Sequence, residues 1–230
     1  MSFIKRGKAA QQEMAKQQAK AEQASKDKAF RFYLPTGADT SVTFIDGDLN
    51  DEGILDIPMF HEHQVHMNGH WRNWFVCVQD EESCPLCEGG DEPALVGALT
   101  IIDHSEWKDK QGNEHKDERK LFIAKFSTIQ KLQNMATKRK GLAGCTFDVF
   151  RSSDSKSPNV GDQFDFTEKH TKGGLKKKFK DAAEAYDYEE VLTYLPAAEL
   201  RKLGFGVTGV GGEKPLDDSG GTGTQYEDDL

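Results

Sequence analysis

The chain has 230 residues and a formal net charge of -9, from 30 Lys and Arg against 39 Asp and Glu. No apolar run approaches the roughly 18 residues that a membrane helix requires, and no leader-like apolar segment is visible, so a soluble protein of a reducing, intracellular compartment is expected. An acidic protein is an unusual partner for nucleic acid, because phosphates attract Lys and Arg. The charges are, however, unevenly distributed along the chain.

The two ends differ from the middle in composition and in charge. Residues 1–28 hold seven Lys and Arg against three acids, and almost no large apolar side chains follow Phe3 and Ile4. Residues 206–230 are rich in Gly, Asp, Ser and Thr, and their last 18 residues hold six acids against one Lys. Such segments bury too little apolar surface to fold. We therefore predict a basic arm over 1–28, a single domain over 29–205 and a flexible acidic tail over 206–230.

Between the ends, short apolar runs separated by turn residues predict a mainly β fold with a few helices. Runs at 30–34 and 41–45 come first. Strands at 57–67 and 71–78 then flank Asn68-Gly69, a dipeptide that tolerates the positive φ of a tight turn. The remaining predicted elements are a long hairpin of 93–107 with 121–126, a helix over 128–140, strands at 146–151 and 164–167, and helical spacing over 188–203. This set fits an OB-like β-barrel with a zinc-knuckle insertion at about 61–92.

Three of the four cysteines lie within eleven residues, and they form the most specific local signal. The turn Cys84-Pro85-Leu86-Cys87 offers two thiolates at the spacing of a zinc knuckle, and Cys77 ends the strand that leads into it. A histidine on the neighbouring strand would complete a tetrahedral set for one structural Zn2+, with no position left for a substrate. The predicted ligands are His63, Cys77, Cys84 and Cys87, with His61 and His66 as alternative histidines.

Other kinds of protein fit the same residues less well. A redox pair at Cys84 and Cys87 would leave Cys77 and the histidines without a role, and the βαβ context of thioredoxin-like folds is missing. A zinc-dependent nuclease would need an open metal position or paired carboxylates, whereas the acids at 46–52 fit a turn. A zinc-ribbon adaptor that binds proteins or duplex nucleic acid would need a base-reading helix, and 128–140 is basic only at its end. We expect no enzymatic activity and keep the adaptor as the alternative.

Cations and aromatic side chains occur together in several segments, as they do in proteins that bind single strands by phosphate contacts and base stacking. Alternation places Tyr33 opposite Phe32, which makes Tyr33 the better stacking platform. The lysine run 176–180 is interpreted as a mobile loop that clamps phosphates, although short Lys runs are often only solvated surface and strand aromatics are often core. The candidate contacts are Arg31, Tyr33, Trp71, Arg72, Trp74, Trp107, Lys176, Lys177, Lys178, Phe179 and Lys180.

The chain ends in acids followed by an apolar residue: Glu227, Asp228, Asp229 and Leu230. A short tethered peptide of this kind can dock in a basic pocket on a partner, and it can compete with DNA for a cationic groove. The alternative is a disordered tail that only solubilises the protein.

Together these residues resemble the single-stranded DNA-binding proteins of bacteriophages. The resemblance covers most of the chain and rests on 3–7, Arg31-Phe32, 44–46, Glu62-His63, Trp71-Arg72, Cys77, 84–91 and the acidic end. It implies an OB fold that coats single-stranded DNA in phage replication, recombination and repair, in the cytoplasm of the infected bacterium. The set of three cysteines and one histidine is similar to that of the helix-destabilising protein of T-even phages, although the gap from Cys77 to Cys84 is shorter here.

The same resemblance implies roles for the two ends. For Lys5, Arg6 and Lys8 of the arm it implies cooperative self-association on DNA. For the acidic tail it implies contacts with replication proteins such as a polymerase or a helicase-primase.

Overall fold

The computed structural model describes residues 29–67, 69–109, 112–154 and 156–206, together with Gly7, Lys8 and Gln11. This part of the chain is mainly β, as predicted, with a few short helices. Its strands are β1 (Asp39–Phe44), β2 (Met59–Met67), β3 (His70–Val76), β4 (Ala94–Asp103), β5 (Trp107–Lys108), β6 (Glu114–His115), β7 (Glu118–Lys125), β8 (Cys145–Phe150) and β9 (Gln163–Lys169). Its α-helices are α1 (Pro85–Glu88), α2 (Phe126–Arg139), α3 (Lys172–Phe179), α4 (Tyr188–Val191) and α5 (Ala197–Lys202), and a 3-10 turn (Lys180–Ala183) follows α3.

Seven of the strands in the described ranges form one antiparallel sheet in the order β3-β2-β4-β1-β8-β9, and β7 also pairs with β4. The long strand β4 organises this sheet. Its first residues pair with β2, its last residues pair with β1, and β7 pairs along its opposite edge. The β2–β3 hairpin is therefore hydrogen-bonded to β4, the central strand of the sheet.

The predicted barrel requires correction, because the strand ladders of the described residues do not close into a barrel. Residues 30–34, predicted as the first strand, form an irregular segment beside β7 with one parallel bridge, from Arg31 to Leu121. The Phe32 amide donates to the Leu121 carbonyl, and the Leu34 amide donates to the Asn159 carbonyl, both at 2.8 Å. The segment thus takes hydrogen bonds that a closing ladder would use.

The main core lies between the inner face of the sheet and helix α2. Phe44 packs edge-on against Phe122 and Phe147, with ring centroids 5.4 and 5.8 Å away. Leu132 and Ala136 bring α2 into this core, where both are fully buried. Burial of each large apolar side chain stabilises the fold by about 1.5–3 kcal/mol, so this core fixes the sheet on which the hairpin stands.

A second, smaller core joins the β2–β3 hairpin to α1 and α5, and we call this region the metal lobe. Its buried residues include Phe75 of β3, Leu86 of α1 and Leu200 of α5. The continuous helix predicted over 188–203 is wrong in its middle, because Pro196 precedes α5 and proline disfavours helical geometry in the residue before it. None of the helices described has both the length and the apolar character needed to span a bilayer.

Candidate metal centre

Three elements of the metal lobe bring the predicted ligands together. His63 lies within β2, and Cys77 follows the last residue of β3, where its amide donates to the His61 carbonyl at 2.8 Å. Cys84 is the N-cap of α1 and Cys87 lies inside that helix, which begins at a proline. Proline is favoured in the first turn of a helix because its missing N–H is not needed there. The Cys-Pro-Leu-Cys sequence thus folds into one turn that returns its second thiol toward the first.

The four side chains have the spacing of a ligand shell. Their ligand atoms all lie within 4.8 Å of one another, so they could hold one metal ion. The His63 Nε2 atom is 3.4 Å from the Cys84 Sγ and 3.5 Å from the Cys87 Sγ, and the Cys77 and Cys87 sulfurs are 3.6 Å apart. A tetrahedron with bonds of about 2.3 Å to sulfur and about 2.0 Å to nitrogen has edges of roughly 3.5–3.8 Å. All four cysteines of the described chain are free thiols.

Asp91 orients the histidine. The His63 side chain is fully buried, and its Nδ1 atom lies 2.6 Å from Oδ2 of Asp91. A neutral imidazole that donates from Nδ1 to the carboxylate presents the lone pair of Nε2 to the thiols, which is the usual arrangement behind a metal-bound histidine. No spacing rule marked Asp91 in the sequence, so this residue was missed.

The environment of the thiols favours a bound cation. Burial raises the pKa of Cys77, and burial together with contact with Cys77 raises that of Cys87 to about 12. At Cys84 burial acts in the same direction, but backbone hydrogen bonds from Cys87, Val78 and Leu86 outweigh it and lower the pKa. Neighbouring thiolates repel one another unless a cation neutralises them. Metal binding is therefore expected to release protons.

The centre is sealed on one side and open on the other. A cavity of about 310 Å³ is lined by Cys77 and Cys87, together with His61 and Asp80. His63 and Cys84, in contrast, are fully buried. Among the described histidines it is His63 that joins the cluster, while His61 lines the cavity.

Arg31, a candidate phosphate contact, is engaged inside the protein. Its guanidinium donates to both carboxylate oxygens of Glu62, one of them at 2.8 Å, and stacks 4.2 Å above the Trp74 ring. The Glu62 side chain is only 6% exposed. These contacts tie residues 30–34 to the hairpin, and they use the charge of Arg31 and one face of Trp74.

The other candidate aromatics remain partly exposed. Tyr33 is 39% exposed while Phe32 is buried, as alternation predicted. Trp107 is 38% exposed and stacks on His115 with ring centroids 4.1 Å apart. Trp71 is half-buried and contacts the ring of His66. The side chain of Arg72 lies outside the described part of the structure.

The lysine run forms a helix instead of the mobile loop that was predicted. The Thr171 hydroxyl accepts the Gly174 amide and caps α3, while Leu175 and Phe179, four residues apart, are buried on one face. Phe179 packs with Ile102 in a small cluster and is therefore not on the surface with the lysines. The lysines at 176, 177, 178 and 180 are exposed.

The two charged ends stay predictions. Lys8 is described and exposed, whereas Lys5, Arg6 and Glu227, Asp228, Asp229 and Leu230 lie outside the described residues. The sequence was compared with protein-family models and with curated proteins, and neither comparison found a match.

Proposed function

We propose that the protein binds and coats single-stranded DNA without catalysis, on an OB-like fold stabilised by one structural Zn2+. The observation that carries the proposal is the spatial order β8-β1-β4-β7. The fourth of these strands lies beside the first, which is the Greek-key order, and α2 connects the third to the fourth. The OB fold is a five-stranded, partly open Greek-key barrel, so an open edge beside β7 and β9 is compatible with it.

The insertions also lie where an OB protein meets its ligand. Oligonucleotides bind OB folds on the face of the second and third strands, between the loop after the first strand and the loop before the last. Those strands correspond here to β4 and β7. The loop after β1 contains the β2–β3 hairpin and the metal centre, and the loop before β9 covers residues 151–162.

Zinc fits the donor set better than other common ions. Thiolate and imidazole ligands suit Zn2+, whereas Mg2+ and Ca2+ prefer oxygen. Three cysteines and one histidine fill all four tetrahedral positions, so the ion would hold the metal lobe together and leave no open position for substrate.

The wider role follows from the resemblance to bacteriophage single-stranded DNA-binding proteins. We propose action in phage replication, recombination and repair within the cytoplasm of the infected bacterium. The basic arm would support self-association on DNA, and the acidic tail would recruit replication proteins.

The test is a fluorescence titration of the three tryptophans with an unstructured oligothymidine and with a duplex of equal length, at low and high salt. Strong quenching by the single strand, weakened by salt and much smaller with the duplex, would support stacking in a cationic groove. A folded, zinc-loaded sample that does not bind the single strand would overturn the proposal and favour the adaptor.

A further inference from the structure

Residues 184–194, which we call the strap, cross the outer face of β4 and β7. Leu99 and Ile101 point into the main core, so Thr100 between them points outward. The Thr100 hydroxyl accepts the Tyr186 amide at 3.0 Å and lies 2.9 Å from the Tyr188 hydroxyl. On β7, the carbonyl of Arg119 accepts the Tyr186 hydroxyl at 2.9 Å. The strap thus lies directly over the centre of the sheet.

The far end of the strap reaches the metal lobe. The Val76 amide of β3 donates to the Thr193 carbonyl at 2.9 Å, and the Tyr194 hydroxyl donates to Glu81 at 2.8 Å. The packing of α3 against the sheet and of α5 in the metal lobe anchors the chain on either side. The strap can therefore leave the sheet as a loop without unfolding its neighbours.

The chemistry of the strap resembles that of a single strand of DNA. It contains four carboxylates, three tyrosines and no Lys or Arg. The Arg119 guanidinium stacks 4.3 Å above the Tyr186 ring and donates to the Glu184 carbonyl at 3.1 Å. The Lys176 Nζ lies 3.6 Å from the Glu184 carboxylate. Rings for stacking and negative charges for cations are the two features by which proteins hold single strands.

The strap is held by hydrogen bonds and not by buried side chains, and the surface beneath it is not suited to water. None of residues 184–194 is buried, whereas Thr100 is 0% and Leu121 of the same outer face is 2% exposed. Segments with few buried contacts open at low free energy. Removal of the strap would expose the sheet unless another group covered it, and nucleobases can do so.

We propose that the strap occupies the outer face of β4 and β7 in place of single-stranded DNA, and that a bound strand displaces it. This inference depends on the proposed function, and it concerns the strap, not the acidic tail at 206–230. The cations that the strap engages, Arg119 and Lys176, would then turn to the nucleic acid.

The experiment compares the double variant Tyr186→Phe with Tyr188→Phe against wild type. It removes the hydroxyl contacts with β4, with β7 and with the Asp46 carboxylate, and it keeps both rings. Affinity for a dye-labelled oligothymidine is measured by anisotropy, with zinc content and circular dichroism as folding checks. Because the double variant removes three hydroxyl contacts of the closed strap, to Thr100, to the Arg119 carbonyl and to the Asp46 carboxylate, binding should tighten by about tenfold or more. The comparison variant is Tyr194→Phe, whose hydroxyl holds the end of the strap on the metal lobe and not on the sheet, so its gain in affinity should be smaller than that of the double variant.

Two further measurements test the strap proposal independently of the double variant. Replacing the exposed acids as Glu189→Gln with Glu190→Gln should also tighten binding, and salt should abolish that gain. Hydrogen exchange on the wild type should show that strap amides exchange faster when oligothymidine binds, while β4 and β7 stay protected.

The outcomes separate the two proposals. A wild type that does not bind oligothymidine overturns the proposed function and, with it, the competition by the strap. A wild type that binds, with unchanged or weaker binding in the double variant or slower exchange in the bound strap, overturns the strap proposal alone.

Discussion

Replacing Asp91 should weaken metal binding although Asp91 is not a ligand. The His63 ring is fully buried and its Nδ1 lies 2.6 Å from the Asp91 carboxylate, so this contact fixes both the tautomer and the ring orientation. Such partners of metal-bound histidines typically contribute 10–100-fold to metal affinity. In Asp91→Asn an amide oxygen can still accept the proton, so we expect a loss of about tenfold, or about 1.4 kcal/mol. In Asp91→Ala no acceptor remains, and we expect a loss of about a hundredfold.

The assay is a competition titration of zinc against a chromogenic chelator at fixed pH, with refolding checked by circular dichroism. The matched control is Asp80→Asn, which removes the same charge from the cavity wall beside Cys77 and Cys87 but has no bond to His63. Its effect should be much smaller than that of Asp91→Asn. Equal losses in both variants would mean that charge near the thiols matters and the hydrogen bond does not. If Asp91→Ala bound zinc as tightly as the wild type, the contact between Asp91 and His63 would have no role in metal binding, and the reasoning would be refuted.

Other perturbations follow from the same contacts. Arg31→Met should lower the free energy of unfolding in urea by about 3 kcal/mol, because it leaves the buried Glu62 carboxylate without its partner, and an unchanged unfolding midpoint would contradict this. Burial raises the pKa of Asp46, so this carboxyl holds its proton more tightly in the folded state than in the unfolded state. The contribution of Asp46 to the free energy of unfolding therefore falls as the pH rises from about 4 through the raised pKa. Asp46→Asn should therefore gain stability relative to wild type over that interval, and a constant difference in unfolding curves between pH 4 and 7 would argue against it. In the metal-loaded protein an alkylating reagent should reach Cys77 and Cys87, which line the cavity, before the two fully buried cysteines, whereas mass spectrometry showing equal labelling would disagree.

Local patterns predicted what depends on neighbours in sequence. The Cys-Pro-Leu-Cys turn, the hairpin around Gly69 and the pairing of β4 with β7 all follow from spacing and turn chemistry, and the structure has them. The prediction of His63 and not His61 as the ligand agrees with the structure. The two histidines alternate along one strand, and it is His63, nearer the hairpin turn, that lies with the three thiols.

Features that depend on distant partners could not be predicted. The charge of Arg31 identified it as a phosphate contact, but its partner Glu62 lies 31 positions away and nothing local marks the pair. Phe179 belongs to a lysine-rich run by sequence, yet its four-residue spacing from Leu175 makes it the buried side of a helix. The sheet of the described residues does not close into a barrel, and the sequence could not show this, because alternation in 30–34 identifies an extended segment without specifying whether a ladder forms.

The segment 30–34 has a consequence for how the protein is made. It leaves the ribosome early, but its partners come late: the Leu34 carbonyl accepts Nη1 of Arg151, 117 positions further along the chain. Phe32 and Leu34 are 4% and 3% exposed in the folded protein. During most of synthesis their late partners have not yet been made, so these side chains remain exposed to solvent. Contacts between distant residues form slowly, and exposed apolar segments invite aggregation meanwhile. We expect nascent chains that stop before β8 to be insoluble. The charged arm just upstream should reduce aggregation while translation proceeds.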